Sequence, residues 1–257
     1  DCSIAIFAET SLGGMRIFKK SNGYFSETLI FAEIICLDMK IINLSEQDTI
    51  LNQYVAELRD VHIQADRMRF RRNIERIGEL MAYEMSRTLS YSVKPVQTPL
   101  GMAEVRTPDD DLVIATVFRA GLPLHQGFLN VFDRAGNAFV SAYRSYKDKA
   151  HHEVDVHIEY IATPDLSQKT VLLVDPMLAT GESLELAWRA FLTKGSPRRL
   201  LIACVIASRQ GVDHLCRLFP TDDVTLWCAA IDPGLNEHLY IVPGLGDAGD
   251  LAYGEKL

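Results

Sequence analysis

The sequence lacks several features that define other classes of protein. No apolar run reaches the roughly 20 residues that a membrane-spanning helix needs, so we expect no membrane partner. Its five cysteines lie far apart, without C-x-x-C spacing, and three of them fall in or beside apolar segments. We therefore expect reduced, buried thiols and a cytoplasmic protein.

An excess of basic residues is also missing. The 257 residues include 26 Lys and Arg against 34 Asp and Glu, which gives a net charge of −8. Neutralising the phosphates of DNA or RNA needs clustered positive charge, so we predict no nucleic-acid partner. The arginine-rich segment 67–76 could suggest RNA, but apolar residues recur through it at helical spacing. We interpret it as the solvated face of a helix.

Residue types that bind metals cluster at one place in the chain. His151, His152 and His157 stand beside several acids, but from residue 154 to 160 polar and apolar residues alternate at the period of a strand. We interpret this cluster as an exposed hairpin and predict no metal site made by the protein alone.

The first 40 residues differ from the rest. Leu29–Leu44 is apolar but is interrupted by Glu33, Asp38 and Lys40, and it lacks the basic start and cleavage site of a signal peptide. We expect residues 1–40 to be an N-terminal extension of unknown role and residues 41–257 to form the phosphate-binding domain described next.

Apolar segments in the remainder alternate between strand and helix patterns. Helical spacing predicts a first helix at Leu51–Leu58, opened by a capping box of Ser45 and Asp48, and a second with a buried stripe from Phe70 to Met85. Later strands are predicted at Leu112–Phe118, Ala138–Tyr143, Val171–Val174, Leu200–Ala207 and Val224–Ile231, and helices at Glu182–Leu192 and Val212–Phe219. This alternation predicts an α/β fold with a mostly parallel sheet flanked by helices.

The segment 171–183 carries the most information about function. An apolar run ends at Asp175 and continues into a loop of small residues and a helix start. Such a loop directs backbone N–H groups, the positive end of a helix and two hydroxyls at a volume that suits a phosphate. The Asp175 carboxylate can accept hydrogen bonds from a sugar diol. Arg119 and Arg144 also follow strand ends, where ligands collect in such sheets, and guanidinium groups suit a diphosphate.

This loop, Asp175-Pro-Met-Leu-Ala-Thr-Gly, resembles the phosphoribosyl-diphosphate loop of the uracil phosphoribosyltransferases. Three further segments resemble that family in the same order: Arg119-Ala-Gly-Leu, Tyr143-Arg144, and a tail running from Gly234 to Asp250. The resemblance covers about Leu51 to the C-terminus. It implies a phosphoribosyltransferase-type fold with a β-hairpin arm and a C-terminal base-binding hood. It also implies a pyrimidine-salvage enzyme that converts uracil and 5-phosphoribosyl 1-diphosphate to UMP and diphosphate.

The resemblance further implies roles for individual residues. The catalytic residues would be Asp175, Arg144 and Asp247. Phosphoribosyl diphosphate would contact Arg119, Arg144, Asp175, Met177, Leu178, Ala179, Thr180, Gly181, Glu182, Ser183 and Asp247, and uracil would contact Ile241, Gly246, Asp247 and Ala248. Mg²⁺ would be held mainly by the diphosphate and water, because Pro176 stands where relatives often carry a second acid. A homo-dimer or larger oligomer is implied, and a nucleotide activator such as GTP stays open.

Two departures from the family pattern and two alternative functions accompany this expectation. Glu182 replaces a small residue of the loop, so its charge has to turn away from the phosphate. Leu122-Pro-Leu-His125 also departs from the pattern that follows Arg119.

The alternatives are a pyrimidine-responsive RNA-binding regulator of the same fold and a phosphoribosyltransferase for another nucleobase. The segment Gly246-Asp247-Ala248 and the acidic charge favour the uracil enzyme, whereas a contiguous basic patch would favour the regulator.

Overall fold

The computed structural model describes the backbone of residues 11–12, 15–16, 39–146 and 154–255, and the side chains of residues 39–141 and 159–255. The chain divides into two compact units, residues 1–38 and 39–257. Within the first unit, β1 (Ser11–Leu12) and β2 (Met15–Arg16) form an antiparallel pair. The predicted histidine cluster at residues 151 and 152 lies outside the described residues, as do Cys2 and Cys36.

A central sheet organises the second unit. Its strands in chain order are β3 (Lys40–Asn43), β6 (Leu112–Val117), β7 (Gly136–Tyr146), β8 (Val154–Ala162), β9 (Thr170–Val174), β10 (Met177–Leu178), β11 (Arg199–Ser208) and β12 (Val224–Asp232). The spatial order is β3-β12-β11-β9-β6-β7-β8, with β10 beside β11. In the described part of the chain, β7 and β8 are antiparallel and the other pairs of this sheet are parallel. The antiparallel pair of β7 and β8 forms the predicted hairpin arm.

In the described part of the second unit, two smaller pairs of strands and six α-helices accompany the sheet. The pairs are β4 (Tyr91–Thr98) with β5 (Gly101–Pro108), and β13 (Gly234–Leu235) with β14 (Ile241–Val242). The helices are α1 (Ile50–Arg59), α2 (Arg67–Ser86), α3 (Leu122–Val131), α4 (Glu182–Leu192), α5 (Arg209–Leu218) and α6 (Ala248–Tyr253). No helix in the described ranges combines the length and apolar character needed to cross a membrane.

Two apolar cores lie on the two faces of the sheet. One is formed with α1, α2, α3 and α6 and the other with α4 and α5. Alternate residues of a strand serve different cores: Leu172 and Val174 face the first, and Val171 and Leu173 face the second. Burial on both faces explains why the central strands β9 and β11 are apolar at nearly all positions between their ends. The predicted α/β fold with a mostly parallel, doubly covered sheet is confirmed.

The capping box predicted for the first helix is wrong. Ser45 lies in a 3₁₀ turn (Leu44–Glu46), where its backbone N–H and hydroxyl donate to Asn43 Oδ1 at 3.2 and 2.8 Å. The helix begins later, at Ile50 after Thr49. The sequence pattern assigned this serine to the helix start, but its donors are taken by the side chain of Asn43, two residues upstream. Asn side chains compete for nearby backbone groups in this way.

Helix α3 was not predicted because Pro123 and Gly127 resemble helix breakers. In the structure Pro123 occupies the first turn, where its missing N–H costs nothing. Gly127 faces α2, and a Cβ there would overlap the carbonyl oxygen of Glu75. The glycine is therefore needed for close packing of two helices, which a single-segment pattern does not reveal.

Candidate active site

A cavity of about 440 Å³ opens at the carboxyl edge of the sheet. Three separate stretches line it: residues 117–120 after β6, residues from Asp175 to Leu184 after β9, and a tail that includes residues 238–240 and 247–249. Parallel strands all end at the same edge, so the topology brings these stretches together. The convergence that the sequence predicted for Asp175 and Arg119 is present.

The loop after β9 forms the floor of an anion site. Gly181 is the N-cap of α4 and has φ +86°, a left-handed conformation that glycine adopts without strain. Glycine offers no side chain to cap the helix, and the first N–H of α4, that of Glu182, makes only a long hydrogen bond to Thr180 Oγ1 at 3.4 Å, so the helix start can exchange it for a ligand oxygen. Thr180, Gly181 and Ser183 line the cavity, as do Met177, Leu178 and Ala179.

Glu182 is exposed and lies outside the cavity lining. It is the first residue of α4, where the helix dipole favours an acidic side chain. Its carboxylate therefore stabilises the helix start without entering the anion site. The expectation that this charge turns outward agrees with the exposure of Glu182, so a contact of this residue with phosphate would come from its backbone N–H rather than from its carboxylate.

Asp175 lies at the end of β9 with its carboxyl group in the cavity wall. Removal from water raises the pKa of this carboxyl from its ordinary value to about 7, and the Met177 N–H, which donates to Oδ1 at 3.4 Å, opposes the shift. Among the described side chains, Asp175 forms no ion pair. The free protein thus keeps a carboxyl group in the cavity that loses its proton near neutral pH.

Arg119 follows β6 and also lines the cavity. Its Nη2 lies 3.3 Å from Asp250 Oδ1 and donates to it, whereas its Nε is buried and has no hydrogen-bond partner among the described groups. The guanidinium therefore keeps capacity to bind a further acceptor. Arg144 lies in β7, four residues beyond Val140, the last residue that pairs with β6. Its side chain falls outside the described residues, so its predicted role stays a prediction.

The tail closes one side of the cavity. Asp247 lines it and is the N-cap of α6, with Oδ1 accepting the N–H of Asp250 at 3.0 Å. The Ala248 N–H points toward the anion loop and lies 3.4 Å from Met177 Sδ. A methionine sulfur is a weak acceptor, so this N–H can exchange it for a carbonyl oxygen of a ligand.

The other two residues predicted to contact uracil lie elsewhere. Ile241 packs its side chain into the first core and is 4% exposed. Gly246 lines a neighbouring cavity of about 360 Å³ together with Asp247. Any contribution of these two positions would have to come from backbone groups. Sequence reasoning did not assign Phe118 or residues 238–240 to the site, although Phe118 precedes the Arg119 motif and residues 238–240 lie within the tail.

The parallel sheet, the anion loop behind Asp175 and the closing tail define a phosphoribosyltransferase of the α/β type. A sequence model described as uracil phosphoribosyltransferase matches residues 45–255. The chain belongs to the uracil phosphoribosyltransferase family. The predicted fold class, family and enzyme type are confirmed.

Individual relatives agree with this assignment. A uracil phosphoribosyltransferase of Porphyromonas gingivalis is 59% identical over 219 residues, which is 85% of this chain and all of the relative. One of Thermococcus kodakarensis is 35% identical over 82% of this chain and 90% of its own length. Among solved structures, the AQ2163 protein of Aquifex aeolicus is 29% identical with a TM-score of 0.72, covering 83% of this chain and 98% of that one.

Proposed function

We propose that the protein transfers the phosphoribosyl group of 5-phosphoribosyl 1-diphosphate to uracil, releasing UMP and diphosphate in pyrimidine salvage. The observation that carries this proposal is the single cavity shared by Asp175, Arg119 and Asp247. These side chains come from three segments far apart in sequence, and one volume offers each of the groups that a sugar diphosphate and a base require.

Each part of the first substrate has a proposed site. The N–H groups and hydroxyls of residues 179–183 bind the 5′-phosphate at the start of α4. The Asp175 carboxylate accepts hydrogen bonds from the ribose hydroxyls. Arg119 binds the diphosphate together with Arg144, since guanidinium groups suit two-point contacts with phosphate oxygens.

Uracil is proposed to lie against the backbone of Gly246, Asp247 and Ala248, with Ile241 behind it. A nitrogen of the base forms a bond to the anomeric carbon while the bond from that carbon to the diphosphate oxygen breaks, and the proton of that nitrogen passes to the departing diphosphate or to water. The sugar carries positive charge at the transition state, so the reaction needs no nucleophile from the protein. Alignment of the two substrates and neutralisation of the departing diphosphate supply the catalysis.

Mg²⁺ is the cofactor that this chemistry calls for. Within the described residues no group of three or more His, Cys, Asp or Glu could hold a metal ion. The cavity does offer the Asp175 carboxylate, and Mg²⁺ is commonly bound by one or two carboxylates together with phosphate oxygens and water. These donors fit a metal that arrives with the diphosphate, where it would neutralise leaving-group charge.

Incubation with labelled 5-phosphoribosyl 1-diphosphate and a panel of bases tests the proposal. We expect a labelled nucleotide with uracil and none with hypoxanthine, guanine, xanthine or orotate. Equal or faster turnover of one of the other bases would make that base the substrate. No turnover of any base would overturn the catalytic proposal.

Gly181→Ala is expected to raise KM for 5-phosphoribosyl 1-diphosphate about tenfold and to destabilise the protein by about 1–2 kcal/mol. The positive φ disfavours alanine, and the added Cβ would meet His214 Cδ2 at 2.8 Å. Steady-state kinetics and urea unfolding measure the two effects. The double variant with His214→Ala removes the steric conflict, and the single variant His214→Ala corrects for the lost contact with Glu185 at 2.8 Å. Full recovery of the double variant to the level of that single variant would contradict the backbone explanation.

The pH dependence of the reaction should report Asp175. Because the pKa of its carboxyl is about 7 in the free protein, kcat/KM for 5-phosphoribosyl 1-diphosphate should fall up to about tenfold per pH unit below neutrality, as the carboxylate takes up a proton. Asp175→Asn is the control, since its profile contains the ionisation of the substrate alone. Identical profiles for the two proteins would refute this role of the carboxylate.

Nothing in the described residues favours the RNA-binding regulator. The arginines of α2 are engaged within the chain: Arg69 pairs with Glu57, Arg72 with Glu75, and Arg71 donates to the Ala252 carbonyl at 2.7 Å. They hold α1 and the C-terminal helix in place, so the basic segment has a structural use. The interpretation as a solvated helix face was therefore incomplete, although no nucleic-acid partner is proposed.

Assembly and location are also proposals. A homo-dimer or larger oligomer is supported by the β4–β5 hairpin, which exposes Val93, Val96, Leu100 and Met102. Cytoplasmic location is supported by Cys204 and Cys228, which are buried thiols outside any disulfide. We keep residues 1–40 as an extension of unknown role, residues 41–257 as the catalytic domain, and GTP as a candidate activator.

A further inference from the structure

A hydrogen-bonded group fixes the chain where the base-binding tail begins. Asp232, the last residue of β12, is buried, and its carboxylate accepts two hydrogen bonds from Arg59 at 2.7 and 2.8 Å. The same carboxylate accepts the backbone N–H of Gly244 at 2.9 Å. Arg59, at the end of α1, donates in addition to the Gly244 carbonyl at 3.1 Å.

Both polar backbone groups of Gly244 are therefore held by one ion pair. Gly244 has φ +56°, and a Cβ at this position would overlap the carbonyl oxygen of Ile241. The turn is thus closed so tightly that its geometry depends on glycine and on the pair that holds it. A buried two-point Arg–carboxylate contact restricts both partners and transmits its position to what it binds.

The position of this turn links it to recognition of the base. Gly244 stands two residues before Gly246 and four before Ala248, whose N–H lies at the cavity. The stretch between Gly244 and α6 is too short to absorb a shift of the turn. Backbone groups that bind a small flat base have to be held within a fraction of an ångström, and residues that contact this backbone from behind provide the restraint.

We propose that Arg59 and Asp232 are positioning residues for uracil, which hold the backbone of residues 244–248 in the conformation that binds the base. This inference rests on the proposed function and deepens it. The pair lies behind the tail and acts on the base through Gly244, while the loop proposed to bind the 5′-phosphate lies on a separate segment that leads into α4.

A second ion pair with a buried carboxylate, Arg198–Asp110, provides the control. The side chain of Asp110 is 1% exposed, and it accepts hydrogen bonds from Arg198 at 2.6 Å and from the Thr170 hydroxyl at 2.9 Å. Asp110 precedes β6 and Thr170 begins β9, so this pair lies at the amino edge of the sheet, opposite the cavity. Damage to it should affect stability alone.

The experiment compares Asp232→Asn and Arg59→Lys with Asp110→Asn. We expect both tail variants to raise KM for uracil about tenfold or more, as loss of a charge-assisted hydrogen bond does, with KM for 5-phosphoribosyl 1-diphosphate changed less than about twofold. Arg59→Ala should be more severe than Arg59→Lys, which keeps the positive charge but cannot reproduce the planar two-point contact with Asp232. Asp110→Asn should leave both KM values unchanged at a similar loss of stability in urea unfolding.

The outcomes separate this inference from the proposed function. If the wild-type protein turns over no uracil, the proposed function fails. If the wild type is active and the tail variants change both KM values equally, or change neither while losing stability, the pair is merely structural and the inference is overturned. Arg59→Lys is the milder change and keeps the comparison usable should Asp232→Asn not fold.

Discussion

Asp175→Asn is expected to lower kcat/KM by about 10³-fold while making the protein more stable near pH 8. The activity falls because the amide cannot replace an anionic acceptor for two ribose hydroxyls. The fold survives, since the carboxyl lies in the cavity wall and the amide has nearly the same size.

The gain in stability follows from the sign of the pKa shift. The carboxyl titrates near 3.8 in the unfolded chain and near 7 in the folded protein, because burial disfavours its charge. Between these values the folded state binds more protons, so stability falls as the pH rises from about 4 to about 7. The full shift corresponds to at most about 4 kcal/mol of unfolding free energy. The wild type loses this stability as the pH rises, and the amide variant keeps it.

Urea unfolding of both proteins near pH 5 and near pH 8, with steady-state kinetics, measures the two effects. The variant should gain stability relative to the wild type as the pH rises, and the comparison between the two proteins cancels the opposite contribution of His125, whose burial lowers its pKa. An equal difference in stability at both pH values would refute the desolvation of the Asp175 carboxyl, and unchanged kinetics would reject the role of Asp175 at the sugar.

Asp247→Ala and Asp247→Asn should both abolish turnover, but they should differ in their effect on stability. Asp247→Ala removes both the carboxylate at the cavity and the cap of α6, so we expect loss of activity and about 1 kcal/mol of stability. Asp247→Asn keeps a side chain that caps a helix equally well. It should therefore lose activity while keeping the stability of the wild type.

Point variants are a sharper test than truncation. Removing the last fifteen or so residues should also abolish use of uracil, but Leu245, Ala248 and Ala252 are buried in the core and would be lost with them. Kinetics and unfolding of the two Asp247 variants separate function from stability. Normal turnover by Asp247→Asn would remove this carboxylate from the mechanism.

The sequence predicted what local periodicity encodes. The apolar strands are recognisable because they are buried on both faces, and α4 begins and ends at the predicted residues, Glu182 and Leu192. The anion loop could be identified because its chemistry lies in consecutive residues. The proximity of Asp175 and Arg119 could be predicted because the carboxyl ends of parallel strands lie at one edge of the sheet.

Features that depend on distant contacts were not predictable in this way. The glycine of α3 is explained by α2 packing against it, and the Arg59–Asp232 pair joins residues 173 positions apart. Helix α6 is six residues long and begins within a glycine-containing segment, so its pattern resembles a loop. Its stability comes from contacts with α2 and the first core rather than from its own sequence.

The dependence of the tail on the earliest helices sets an order for biosynthesis. Arg59 and Arg71 emerge from the ribosome long before Asp232, Gly244 and Ala252, the groups that they later bind. The part of the pocket proposed for the base can therefore be completed only after residues 232–252 have been synthesised and have returned to the first two helices.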